Sequence, residues 1–199
     1  MRDTFDYRPL FYGVTNSFMS LTDIWIIGDS LISHLEDVGA LRGSLNLGLA
    51  FNVLWLGTGG MHWSDLIPRF QCTMIFHPPP VMIIIHVGGN DLVTMKQAKL
   101  IKVIRRDLGY IASVFPSVKI AWSDILPRNW WRGIENSPDN LAKIDEKRKR
   151  INRAGRQVVR DLVCGRAIMH EIDTLTPGLL KPDGVHLTLI GNAIFLNTF

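Results

Sequence analysis

Apolar positions along the chain gather into short continuous runs, separated by stretches with helical spacing. Five runs lean towards β-structure: Asp23–Ile27, Asn52–Leu56, Val81–Val87, Val118–Ser123 and, less sharply, Ala167–Ile172. Between them lie segments of helical pattern or composition, Leu31–Val38, Trp63–Phe76, Met95–Phe115 and Pro138–Cys164, and a last one follows Thr188. An unbroken run such as Val81-Met82-Ile83-Ile84-Ile85 suits a strand covered on both faces, as a parallel sheet between helix layers requires. Pro78-Pro79-Pro80 punctuates the entry to that strand. The alternation predicts one α/β domain with βαβ-type connections and no internal repeat.

Composition narrows this picture without changing it. A chain of 199 residues, 47% hydrophobic and 20% charged, suits a single domain. At this size roughly 70% of the unfolded surface is buried, so a core forms without staples. Low-complexity disorder, a collagen repeat and a disulfide miniprotein are excluded. Cys72 and Cys164 lie far apart and in no CxxC pair, which indicates neither a zinc site nor a disulfide framework. The expectation is a protein without metal or cofactor in a reducing, cytoplasmic compartment. The uncharged stretch from Gly43 to Ser64 is long enough to resemble a membrane span. It contains Asn46, Asn52 and five glycines, however, and reads as a loop, a strand and a glycine turn. The start is interrupted by Arg2, Asp3, Asp6 and Arg8 and lacks the apolar core of a signal peptide. Residues 1–22 are read as an extension or linker ahead of a domain over 23–199.

Charge is unevenly placed. Eight basic residues between Lys143 and Arg160 face only Asp145 and Glu146, so that segment carries +6 in a chain of net +4. Ile144, Ile151, Val158 and Val159 give the same segment a partly apolar face. Its charges read first as a solvated outer surface. A nucleic-acid or anionic-lipid contact is the sharper alternative, disfavoured because no aromatic residues interleave the cations.

In layered sheets, ligands bind beyond the carboxyl ends of the strands. Gly28-Asp29-Ser30 follows the first run, Gly57-Thr58-Gly59-Gly60 the second, Gly88-Gly89-Asn90-Asp91 the third, and Asp183-Gly184-Val185-His186 the fifth after a loop. Every strand but the fourth thus delivers small or reactive residues to one rim. A serine needs a base within hydrogen-bond reach to become a nucleophile. His186 suits that task because imidazole titrates near neutrality, and Asp183 could fix its tautomer. Attack on an acyl carbon also creates an oxyanion, for which the N–H groups of Ser30 and Gly60 and the amide of Asn90 are candidate donors. Taken singly, each residue has a plain reading: Ser30 as an N-cap, Asp183 as a turn residue, the glycines as tight turns. Together they amount to the parts for acyl transfer.

These blocks, Gly28-Asp29-Ser30, the glycine at 60, Gly89-Asn90-Asp91 and Asp183-Gly184-Val185-His186, resemble in order those of the SGNH (GDSL-type) hydrolase family. The resemblance spans roughly residues 23–199, and four blocks in order are far more specific than any one of them. It implies a flavodoxin-like three-layer α/β/α sandwich around a mostly parallel five-stranded sheet. It also implies activity on small-molecule or lipid esters, usually without metal. Ser30 would be the nucleophile, Gly60 and Asn90 oxyanion donors, and Asp183 with His186 the rest of a triad; Gly59 is the alternative to Gly60. No GxSxG elbow occurs. A narrower resemblance rests on Trp122-Ser123-Asp124-Ile125-Leu126-Pro127-Arg128 with Trp130-Trp131-Arg132. That run is similar to SGNH domains encoded by vertebrate retroelements, where an esterase-like domain accompanies nucleic-acid-handling domains.

The remaining candidates are weaker. Asp29 and Asp91 read as loop braces beside the site. His62 reads as a pocket-lining residue and His86 as packing. Trp130 and Trp131 are expected to place at least one ring at a pocket edge. A Rossmann nucleotide site is disfavoured, since neither GxGxxG nor GxxxxGK[ST] follows the first strand. The main expectation is a serine esterase or deacylase; the alternative is a non-catalytic module of the same fold holding nucleic acid through its basic helix.

Overall fold

The computed structural model describes residues 23–43, 45–174 and 176–199, so the proposed extension over 1–22 lies outside the described residues. Strands β1 (Asp23–Gly28), β2 (Asn52–Gly57), β3 (Met82–His86), β4 (Lys119–Ser123) and β5 (Gly165–Ile168) pair in the order β2-β1-β3-β4-β5, parallel throughout. Helices α1 (Ser30–Leu41), α2 (Leu66–Phe76), α3 (Asp91–Thr94), α4 (Gln97–Val114), α5 (Pro138–Arg160) and α6 (Leu189–Leu196) fill the connections.

The period-two alternation of each strand divides its apolar side chains between two cores. Trp25 and Ile27 of β1, with Ile83 and Ile85 of β3 and Trp122 of β4, pack under Phe70 of α2, Ile104 and Leu108 of α4 and Ile151 of α5. Ile24 and Ile26, with Ile84 and Ala121, pack on Leu31 and Leu35 of α1 and Phe195 of α6. This is the expected three-layer α/β/α sandwich, its sheet wholly rather than mostly parallel. Gly28 pairs in register with Gly57 and with His86, which brings the carboxyl ends of β1, β2 and β3 level. The turns after them open onto one rim.

Boundaries differ where local chemistry overrides pattern. β5 begins two residues before the run Ala167–Ile172, and α5 stops at Arg160 rather than Cys164. Gly165 lies so close to the carbonyl of Val159 that the chain doubles back there at once. The stretch Met95–Phe115 is the single helix α4, which starts two residues later, at Gln97, because Met95 is extended (φ −118°, ψ 138°) and separates it from the single turn α3.

The basic helix α5 is only partly a solvated surface. Lys147 Nζ donates to the carbonyls of Leu92 and Met95, closing the end of α3. Arg148 Nη1 donates to the carbonyl of Ile125 at 3.0 Å, and Arg156 faces Asp124 at 3.7 Å. Asn152 brackets both backbone groups of Ile125, at 2.9 and 3.0 Å. These contacts pin the loop that leaves β4. Lys143, Lys149, Arg150, Arg153 and Arg160 stay exposed. Among the described residues, no helix is long and apolar enough to cross a membrane.

Candidate active site

β1 ends at Gly28 and the chain turns directly into α1. The cap of this helix is Asp29, whose Oδ1 accepts the N–H of Leu31 at 3.0 Å, so Ser30 is not the N-cap that its type alone suggested. Its hydroxyl is free to meet His186 Nε2 at 3.0 Å.

His186 sits on a narrow hairpin closed by an antiparallel bridge between Leu180 and Leu187 and by the Lys181 N–H donating to the His186 carbonyl at 2.7 Å. Asp183 folds back across it. Its Oδ1 accepts the N–H groups of Val185 and His186, each at 2.9 Å, and its Oδ2 faces His186 Nδ1 at 2.8 Å. A carboxylate only accepts, so Nδ1 carries the proton and Nε2 offers its lone pair to the Ser30 hydroxyl. Burial pushes the Asp183 carboxyl up, but the bonds from the His186 ring and from the His186 and Val185 N–H groups outweigh it and hold the pKa at about 2. The imidazole therefore keeps an ionised partner throughout the neutral range.

The turn after β2 is fixed by Thr58 N–H donating to the Gly28 carbonyl at 2.9 Å. Gly60 adopts φ 71° there, a left-handed conformation that glycine accepts without steric cost, whereas Gly59 does not. Among the described residues, neither the Gly60 nor the Ser30 N–H donates to a protein acceptor. Asn90 follows β3, and its Nδ2 donates to the Met61 carbonyl at 3.0 Å. Its Oδ1 accepts from Arg128 Nη1 at 3.2 Å, and Arg128 Nη2 reaches Asp29 Oδ2 at 3.0 Å.

Asp29 and Asp91 brace loops, as their sequence context suggested. Asp91 is pushed up by burial, against the Trp63 N–H at 2.8 Å and the His62 ring at 3.3 Å. That contact holds the half-exposed His62 beside the Gly60 turn. The tryptophan pair divides. Trp131 is 3% exposed, in the core, with the Arg128 guanidinium 5.0 Å from its ring centre. Trp130 is exposed and lines a cavity of about 440 Å³ beside the hairpin bearing Asp183. Only Trp130 is therefore placed at a pocket edge.

Sequence reasoning gave two nearby groups no role. His34, one turn into α1, donates from Nδ1 to the Ser30 carbonyl at 2.7 Å, and its ring lies edge-on to His186 at 4.8 Å. Arg128 corrects the reading that the fourth strand sends nothing to the rim. Its signal was an arginine at the end of an apolar run, visible in sequence only as a neighbour of the tryptophans. Deeper in, His86 Nδ1 faces Ser123 Oγ at 2.8 Å, Ser123 Oγ faces His170 Nε2 at 2.7 Å, and His170 Nδ1 faces Thr198 Oγ1 at 2.6 Å. Burial pushes His86 down to about 4 and His170 to about 3. Among the described residues, no three His, Cys, Asp or Glu side chains cluster as a metal site would require.

No protein-family model and no curated protein matches the chain. Solved structures do. A protein from Streptococcus pneumonia, provisionally named a platelet activating factor, superposes with a TM-score of 0.68 at 16% identity, over 92% of this chain and 84% of that one. A GDSL-like lipase from Bacteroides thetaiotaomicron gives 0.63 at 18% identity, over 89% and 85%. A carbohydrate esterase family 3 protein from Talaromyces cellulolyticus gives 0.59 at 16% identity, over 89% and 94%. At such identities the likeness establishes the shared fold.

Proposed function

We propose that residues 23–199 form a serine ester hydrolase of the SGNH type, working through an acyl-enzyme on Ser30. The observation that carries this reading is the continuous contact from Ser30 through His186 to Asp183, at 3.0 and 2.8 Å. The names of the fold neighbours, a GDSL-like lipase and a carbohydrate esterase among them, support ester chemistry.

In the first half-reaction, Ser30 Oγ bonds to the ester carbonyl carbon while its proton passes to His186 Nε2. The carbonyl oxygen becomes an oxyanion, taken up by the N–H groups of Ser30 and Gly60 and by Asn90 Nδ2. Asp183 stabilises the imidazolium. Collapse of the intermediate breaks the bond to the alcohol oxygen, which takes the proton from Nε2. Water then repeats the sequence, giving up its proton to Nε2 and releasing the carboxylic acid and free Ser30. The test is turnover of p-nitrophenyl acetate, butyrate and octanoate between pH of about 5 and 9 by the wild type and Ser30→Ala. Activity lost in the variant supports the reading; equal rates in both refute it.

A further inference from the structure

We propose that Arg128 is a positioning residue for the oxyanion-binding amide of Asn90, held in place by the carboxylate of Asp29; this rests on the esterase reading above.

A side-chain amide is nearly symmetric in shape, and a half-turn exchanges its oxygen and nitrogen. With oxygen towards the substrate, Asn90 would repel an oxyanion instead of donating to it. Two neighbours remove the ambiguity by their chemistry. A guanidinium has donors and no acceptor, so Arg128 Nη1, 3.2 Å away, faces only Oδ1. A carbonyl is only an acceptor, so that of Met61, 3.0 Å away, faces only Nδ2. One amide hydrogen is thereby used on Met61, and the other remains for substrate.

The guanidinium is fixed in turn. Its Nη2 meets Asp29 Oδ2 at 3.0 Å, with the two side chains only 7% and 2% exposed. Trp131 covers it at 5.0 Å. The other oxygen of Asp29 caps α1 at Leu31, next to Ser30. One carboxylate and one planar fork thus tie the helix start bearing the nucleophile to the amide, across 99 and 38 residues of sequence. Space is reserved for the fork: a Cβ at position 89 would stand 2.8 Å from Arg128 Nη2. Arg128 comes from the loop that Arg148 and Asn152 of α5 pin at Ile125.

Arg128→Lys keeps a cation for Asp29 but removes the rigid fork. For p-nitrophenyl acetate, kcat is expected to fall about 10–100-fold with KM within about threefold, while Asn90→Ala alone costs about 10²–10³-fold. The decisive readout is the double variant, which should be no slower than Asn90→Ala, because Arg128 acts through that amide. Losses that multiply, or a folded Arg128→Lys at the wild-type rate, overturn the inference. If Arg128→Lys does not fold, Gly89→Ala displaces the same guanidinium and faces the same cycle; a wild-type rate there overturns the inference too. Ser30→Ala separates the two levels. A rate indifferent to Ser30 refutes the esterase reading, whereas a Ser30-dependent rate indifferent to Arg128 refutes only this inference. Independently of turnover, the Asn90 side-chain amide signals in a ¹⁵N spectrum should move in Arg128→Lys, and unmoved signals contradict the coupling.

Discussion

Ser30 meets His186 at 3.0 Å on the rim of the sheet, and Ser123 meets His86 and His170 at 2.8 and 2.7 Å in its interior. The two arrays use the same functional groups and differ in what stands behind the histidine. Behind His186 is the carboxylate of Asp183, already ionised and able to stabilise an imidazolium. Behind His170 is Thr198, whose hydroxyl donates to the Phe195 carbonyl at 2.6 Å and so offers its oxygen to His170 Nδ1–H. That leaves His170 Nε2 to accept the Ser123 hydroxyl, and Ser123 Oγ to accept from His86 Nδ1–H. Every hydrogen is committed and both rings are neutral. Burial holds them at about 4 and 3, so neither can take up a proton at neutral pH. The rim pair thus has the counter-charge and the open face that a catalytic serine–histidine pair needs, whereas the buried array has neither and serves as a polar strut.

The comparison breaks most sharply at the histidines. His186→Ala should lower kcat on a p-nitrophenyl ester by about 10⁴–10⁶-fold, with the melting temperature nearly unchanged. A loss below tenfold in a folded variant would deny His186 the role of base. Asp183→Asn comes next, at about 10⁴-fold in kcat, because the amide no longer enforces the Nδ1–H tautomer. Ser123→Ala should do the reverse, leaving kcat within about twofold and costing about 1–3 kcal/mol of stability by stranding two buried ring nitrogens. Urea titration measures that cost, and an unchanged midpoint would contradict the strut.

The buried array also sets a pH dependence of stability. The folded pKa values of His86 and His170 lie below the ordinary value of 6.5, so folding excludes protons that the unfolded chain binds. Their stabilisation is complete above pH of about 6.5 and is lost as pH falls towards 4 and 3, by up to ~1.4 kcal/mol per pH unit for each ring. Urea midpoints at successive pH values should fall over that window, and a His170→Phe variant should show a shallower slope. Equal slopes in the two proteins would remove His170 from the explanation.

The candidate site was legible because its residues sit in short blocks at strand ends: Gly28-Asp29-Ser30, Gly89-Asn90-Asp91 and Asp183-Gly184-Val185-His186 are each local in sequence. The core strands were legible for a similar reason, since double-sided burial writes continuous runs such as Ile83-Ile84-Ile85. What escaped depends on contacts between distant segments. Arg128 has meaning only beside Asp29 and Asn90, and no spacing records that. Trp131 is buried among distant core side chains with that guanidinium over its ring, so a tandem of tryptophans gave no hint of which ring faces in. β5 was displaced because an edge strand with Arg166 and Ala167 exposed carries little apolar signal. The excess of cations on α5 overstated the free surface, since Lys147, Arg148 and Arg156 face inward partners.

The most direct measurement is a side-by-side assay of wild type, Ser30→Ala and Ser123→Ala on p-nitrophenyl acetate at pH of about 8, with melting curves for all three. The expected result is turnover abolished in Ser30→Ala at wild-type stability, and turnover retained in Ser123→Ala at reduced stability. Turnover that survives Ser30→Ala, or is lost with Ser123→Ala while the fold persists, would contradict the assignment of chemistry to the rim.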